Sequence, residues 1–98
     1  MNTGMSTVLP QIDLQVCPRV AKMFKLQWED VQQCWVLLYP EGMVKLNGSA
    51  SEIMKRLDGS TTVATLIAAL EQDFGAADLS ADVLDFLAIA QQQGWVKA

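Results

Sequence analysis

The chain has 98 residues, enough for one small domain with a single core and too few for a second. Half apolar by composition and carrying a net charge of −4, it is expected to fold rather than stay disordered, and its acidic balance disfavours nucleic acid as a partner. No apolar run approaches the ~18 residues of a membrane span, and the opening MNTGMSTVLPQIDLQV has neither a basic nor a continuously apolar stretch, which predicts a cytoplasmic protein with no membrane partner.

Residues 1 to 17 mix polar and apolar types without a period and are expected to form a flexible N-terminal segment, mobile or loosely docked, ahead of a domain spanning residues 18 to 98. Cys17 and Cys34 lie in unrelated contexts without C-x-x-C spacing, so neither a zinc site nor a disulfide framework is expected, and two free thiols suit a reducing compartment. FKLQWE alternates Phe24, Leu26 and Trp28 with Lys25, Gln27 and Glu29, the period of a half-buried strand. After the polar turn EDVQQ, the run CWVLLY is apolar nearly throughout, as suits the middle strand of three. Tyr39-Pro40-Glu41-Gly42 fits a type I turn with Pro in second place and Gly free to take a positive φ, which makes residues 34 to 47 a hairpin. A three-stranded antiparallel meander follows, with residues 24 to 29 and 42 to 47 on its edges.

Three helices come next. Ser49-x-x-Glu52 is a capping-box pattern, predicting a first helix over 50 to 57 that stops at Asp58-Gly59. The second, 63 to 74, places Val63, Leu66, Ile67, Leu70 and Phe74 on one stripe, the expected core face, and ends at Gly75. The third begins behind Ser80 as N-cap and runs to Gly94, with Trp95 and Val96 as a short tail. Its apolar arc is wide: Val83, Leu84, Leu87 and Ala90 cluster together, while Phe86 and Ile89 lie to one side with Asp82 and Gln93. Strands first and helices after indicate an α+β fold, one that a winged helix-turn-helix also satisfies.

Chemistry is sparse. The chain has no histidine, which removes His-based triads and the common His-containing metal sites. Asp82 and Asp85 sit near a helix N-terminus, where the helix dipole accommodates them without catalysis. PEGMVKLNGS lacks the glycine spacing that cradles a phosphate, so its glycines serve turns. No cofactor is implied. A DNA-reading helix is equally unsupported, because neither residues 62 to 74 nor residues 80 to 94 contain a Lys or Arg to meet phosphates.

A binding module remains. The strand MVKLN has an open edge with Lys45 as its only charge, a template for another extended chain. The reading is β-augmentation: a peptide pairs beside Met43, Val44, Lys45, Leu46 and Asn47, and its side chains settle against the Phe86 and Ile89 stripe.

The stretch CPRVAKMFKLQWEDVQQCWVLLYPEGMVKLNGSASEIMKRLDGSTTVATLIAAL, with the closing QQQGWV, resembles the PqqD family of small peptide chaperones in pyrroloquinoline quinone (PQQ) biosynthesis. The resemblance covers residues 17 to 96 and lies in the order and spacing of Pro18-Arg19, the Trp35 to Pro40 strand with its Glu41-Gly42 turn, Leu46-Asn47, Ser49-Ala50, Glu52-Ile53, Asp58-Gly59, Thr62-Val63 and Gly94-Trp95-Val96. It implies a winged-helix-like recognition domain that catalyses nothing, binds the ribosomally made precursor peptide and presents it to a radical S-adenosylmethionine enzyme. It further implies that the peptide lies along the third strand and against the Asp82, Phe86 and Ile89 side of the third helix. Gly48 and the length of the N-terminal segment depart from the family pattern. The alternative, from a different class, is a scaffold or regulatory protein whose open edge pairs with itself to give a homodimer.

Overall fold

The computed structural model describes residues 11–98. In chain order the elements are β1 (Arg19–Val20), β2 (Lys25–Glu29), β3 (Cys34–Tyr39), β4 (Gly42–Lys45), α1 (Gly48–Met54), α2 (Val63–Phe74), α3 (Ser80–Gln92) and β5 (Val96–Lys97). Strands β2, β3 and β4 form the expected antiparallel meander, in that spatial order, and the three helices follow it. The α+β, winged-helix-like expectation therefore holds.

The meander pairs Leu26 with Leu37 and Leu37 with Val44, so these side chains share one face. That face closes on the helices: Leu37, Leu46, Ala50, Met54, Ala90 and Val96 form one buried cluster. A second cluster, Ile53, Val63, Leu66, Ile67, Leu70, Val83 and Leu87, joins the three helices to one another. Helix α3 contributes to both, with Val83, Leu87 and Ala90 at helical spacing. That accounts for part of its wide apolar arc.

Several local expectations are corrected. Gly42 does not take a positive φ. It pairs directly with Tyr39 and is already in the ladder; a Cβ there would come within 3.4 Å of the Tyr39 hydroxyl oxygen, so the glycine serves a close approach. Helix α1 is capped by Asn47 rather than Ser49: the Ala50 N–H donates to Asn47 Oδ1 at 2.8 Å. It also ends sooner than expected, at Met54, and Glu52 turns to Lys55 and Arg56 instead of closing a capping box. Helix α3 starts after Leu79, which offers no side-chain cap; the Glu71 carboxylate accepts from the Leu79 N–H at 2.9 Å and pins this corner instead of Ser80. Phe74, at a core position of the stripe, is 54% exposed. Gly75 behind it does take the left-handed conformation, φ 60°, that ends α2.

The short sheet of β1 and β5 was not foreseen. Val20 pairs with Val96 and Arg19 with Lys97, so the tail after Gly94 returns to the start of the domain. Of the segment at residues 1 to 17 expected to be flexible, residues 1 to 10 lie outside the described residues. Residues 12 to 16 lie against the start of α2: Val63 and Ala64 N–H groups donate to the carbonyls of Val16 and Leu14, each at 3.0 Å, and Ile12 and Val16 pack on the helical cluster. These bonds satisfy helix N-terminal donors that otherwise lack partners.

The cap assignment is directly testable. Asn47→Ala should cost about 1 kcal/mol of stability, the usual value of an N-cap, whereas Ser49→Ala should stay within about 0.5 kcal/mol of the parent; urea melts of the two variants measure both.

Candidate peptide groove

The phase of the β3–β4 ladder decides which backbone groups of β4 are free. The Leu46 N–H donates to the Trp35 carbonyl at 2.9 Å, and Leu46 stands opposite Trp35 in the β3–β4 register. Hydrogen-bonded pairs alternate along an antiparallel ladder, so Val44 and Gly42 also turn their polar groups toward β3, while Met43 and Lys45 turn theirs away. Among the described residues no strand pairs with the other side of β4. Met43 and Lys45 each present one N–H and one C=O outward, at the spacing an added strand would use.

A groove of about 330 Å³ lies alongside this edge. Six of the eight residues expected from the sequence line it: Lys45, Leu46, Asn47, Asp82, Phe86 and Ile89. Met43 is exposed on the opposite face of the sheet, and Val44 is half-buried in the sheet cluster; both adjoin the groove only through the strand. Asn47 has a structural duty as well, since its side-chain oxygen holds the Ala50 N–H.

The sequence reading missed the floor and one wall. Ala50 and Ile53, one turn apart on α1, line the groove from below, and Trp95 closes it. The i, i+3 spacing of Ala50 and Ile53 is the signal in the sequence that could have found them. The place of Trp95 depends on the β1–β5 pairing: its carbonyl accepts from the Ala21 N–H at 2.8 Å and its N–H donates to the Ala90 carbonyl at 2.8 Å. Phe86 stacks toward it, ring centroids 6.5 Å apart.

Phe86 is not confined to the groove. It is half-buried and packs against both core clusters, whereas Ile89 is 42% exposed. The two members of the expected second stripe thus differ: Ile89 is a groove residue alone, and Phe86 is groove and core together.

Charge around the groove is unevenly satisfied. Arg56 bridges Glu52 at 2.8 Å and Asp73 at 3.0 Å, and its guanidinium lies 5.6 Å from the Phe74 ring centre. The Arg56 bond, and after it the Lys55 bond, hold the Glu52 carboxyl below its usual range. Asp82 has no ion-pair partner among the described residues. Both cysteines are free, and among the described residues no group of three potential ligands could hold a metal.

An open strand edge over an apolar groove, on a three-strand, three-helix winged-helix-like scaffold, suits a binding domain. The family model of Coenzyme PQQ synthesis protein D (PqqD) matches residues 34–96, and this chain belongs to that family. It is 46% identical over 90 residues to a PqqA binding protein of Pseudomonas aeruginosa, covering 91% of this chain and 96% of the relative. To a PqqA binding protein of Azotobacter vinelandii it is 42% identical over 90 residues, 91% of this chain and 98% of the relative. The fold is similar to the solution structure of the PqqD part of Methylobacterium extorquens PqqCD, described as a functional, stand-alone recognition element for ribosomally synthesized and post-translationally modified peptides. That match has a TM-score of 0.70 and 31% identity over 83% of this chain and 88% of that one. Crystalline PqqD of Xanthomonas campestris matches with a TM-score of 0.55 and 27% identity, over 89% and 99% of the two chains.

The contrast between the two stripe residues sets an expectation. Ile89→Ala should leave stability within about 0.5 kcal/mol of the parent, whereas Phe86→Ala should lower it by ~1 to 3 kcal/mol, less than a fully buried phenylalanine. Denaturant titrations followed by circular dichroism separate them.

Proposed function

We propose that this chain binds the precursor peptide PqqA by strand addition to β4 and presents it to the radical S-adenosylmethionine enzyme of PQQ biosynthesis, with no catalysis of its own. The observation that carries the reading is the outward-facing backbone of Met43 and Lys45 beside the groove lined by Asp82, Phe86 and Ile89. The relatives support it, being named for PqqA binding and for recognition rather than for a reaction. In this reading residues 18 to 98 are the recognition domain, Met43, Val44, Lys45, Leu46 and Asn47 form its strand side, and the helix side supplies apolar anchorage. The compartment is the cytoplasm, in keeping with two free thiols; among the described residues no helix is long and apolar enough to cross a membrane.

Calorimetry with the synthetic full-length precursor peptide should give a dissociation constant between about 1 μM and about 10 nM. Raising the salt from low to physiological levels should weaken it by less than about tenfold, unlike a phosphate-binding surface. Lys45→Pro provides the sharper test. Its N–H faces away from β3, so the ladder survives, but an incoming strand loses a donor and meets the ring. Binding should fall at least tenfold (~1.4 kcal/mol) while Lys45→Ala stays near the parent. Millimolar binding by the parent, or full binding by Lys45→Pro, contradicts strand addition at β4.

One observation favours a second, compatible role for the other sheet edge. The outward-facing residues of β2 are Leu26 and Trp28, by the same alternation. In a two-fold antiparallel pair centred on Gln27, Leu26 of each copy meets Trp28 of the other, and each Lys25 stands opposite a Glu29. Such an isologous contact would make a homodimer without covering the peptide groove. Lys25→Glu should then weaken self-association in sedimentation equilibrium, and Lys25→Glu with Glu29→Lys should restore it. A dimer indifferent to both changes does not use this edge.

A further inference from the structure

A second cavity, about 450 Å³ and larger than the strand groove, lies on the far side of Ser49, Ile53 and Asp82, which line both. Its remaining walls come from all three helices: Glu52 on α1, Leu70 and Phe74 near the end of α2, Ala76 and Leu79 in the following turn, and Val83 on α3. The walls are mostly apolar, and no residue of the sheet takes part. In the α2–α3 turn Gly75 and Asp78 both have positive φ, 60° and 61°, and the Glu71 carboxylate accepts from the Leu79 N–H at 2.9 Å. Phe74 continues the core stripe of α2 yet stays half-exposed on the rim, where Arg56, itself tied to Glu52 and Asp73, lies over its ring. Phe74 therefore stands at a core position of its helix on the rim of an apolar cavity.

We infer that this cavity is a second anchor subsite for the same precursor peptide, taking one large apolar side chain that lies outside the strand-added segment and is followed or preceded by a basic residue. The inference rests on the strand-addition reading above. Continuity names the occupant: an extended chain running beside Lys45 advances about 3.3 Å per residue, and Gly48 and Ser49, which line the cavity, follow Lys45 by only a few residues. Charge names its neighbour. Glu52 is already neutralised by Lys55 and Arg56, whereas Asp82, at the doorway between the two cavities, has no basic partner among the described residues. An apolar anchor alone would fit the walls; an apolar anchor flanked by Lys or Arg also answers Asp82. Two anchors flanking a strand-paired segment would fix the peptide's register, which backbone pairing by itself leaves free to slip by two residues.

The test fills or trims the cavity without touching the strand edge. Ala76 is exposed, and Ala76→Trp places a ring over the cavity; Phe74→Ala removes its rim. Each variant, checked for parental secondary structure, is titrated with the synthetic full-length precursor peptide while the amide signals of Met43 and Lys45 are followed by NMR. Both variants should bind about tenfold more weakly, as on loss of one apolar anchor, yet still show the Met43 and Lys45 shifts at saturation. In a set of peptides with single alanine replacements, one apolar replacement beyond the paired segment should weaken binding to the parent and have no further effect on Ala76→Trp. Asp82→Asn should flatten the modest salt dependence. If either cavity variant binds within about twofold of the parent while the Met43 and Lys45 shifts persist, the cavity is no subsite and strand addition stands. If the parent itself shows no shifts at Met43 and Lys45, strand addition fails and takes this inference with it.

Discussion

The architecture depends on one abrupt transition, from β4 into α1 at Asn47. The Leu46 N–H is still bonded to Trp35 in the sheet, and one residue later the Asn47 side chain caps the helix. Leu46 and Ala50, on either side of this corner, are both buried in the sheet cluster. With no linker between them, the direction of α1 is fixed relative to the last strand, and no chain is left over to fold back across the edge. A cap is worth only about 1 kcal/mol. Here that energy also sets the angle between the two walls of the groove, because the strand supplies Lys45 and the helix supplies Ala50 and Ile53.

Helix α3 completes the arrangement by serving two cores at once. Val83 and Leu87 belong to the helical cluster and Ala90 to the sheet cluster, so the helix is held along its length and offers its remaining flank to the groove. Phe86 sits where the three surfaces meet. Groove and core are therefore not fully separable at that residue, whereas Ile89, one turn on, is 42% exposed and lines the groove alone. The absence of basic residues on this helix, which argued against a DNA-reading role, suits a surface that meets a peptide backbone and apolar side chains.

Much of this was legible in the sequence because period and punctuation carried it. The alternation of FKLQWE, the apolar run CWVLLY and the Pro40-Glu41 turn define the meander, and the open edge follows from the short distance between Lys45 and the helix start. The surplus Phe86 and Ile89 stripe pointed to the side of α3 that lines the groove. What escaped depends on the meeting of distant segments. Phe74 keeps helical period with Leu70, but nothing in the sequence says that it is left 54% exposed at the end of the helix. The capping-box pattern pointed to Ser49, but Asn47, two residues earlier, is the cap, because the helix begins directly after Leu46 leaves the ladder. The two-residue strands β1 and β5 are too short to have a period, and Trp95 acquires its place only through them. The third helix has no side-chain cap, and its start is held instead by Glu71 on the neighbouring helix, which accepts from the Leu79 N–H.

The β1–β5 pairing makes the two ends of the domain a clasp. Arg19 lies opposite Lys97, and the Ala21 N–H holds the carbonyl of Trp95, so the strand that enters the fold also positions the last wall of the groove. The chain before Arg19 runs on to the start of α2, where Val16 and Leu14 accept from Val63 and Ala64, so the clasp is tied to the helices as well as to the groove. The groove keeps its last wall only if both halves of the clasp are kept together. A cut placed anywhere between Arg19 and Ala21 would be felt first at Trp95, on the opposite end of the sequence.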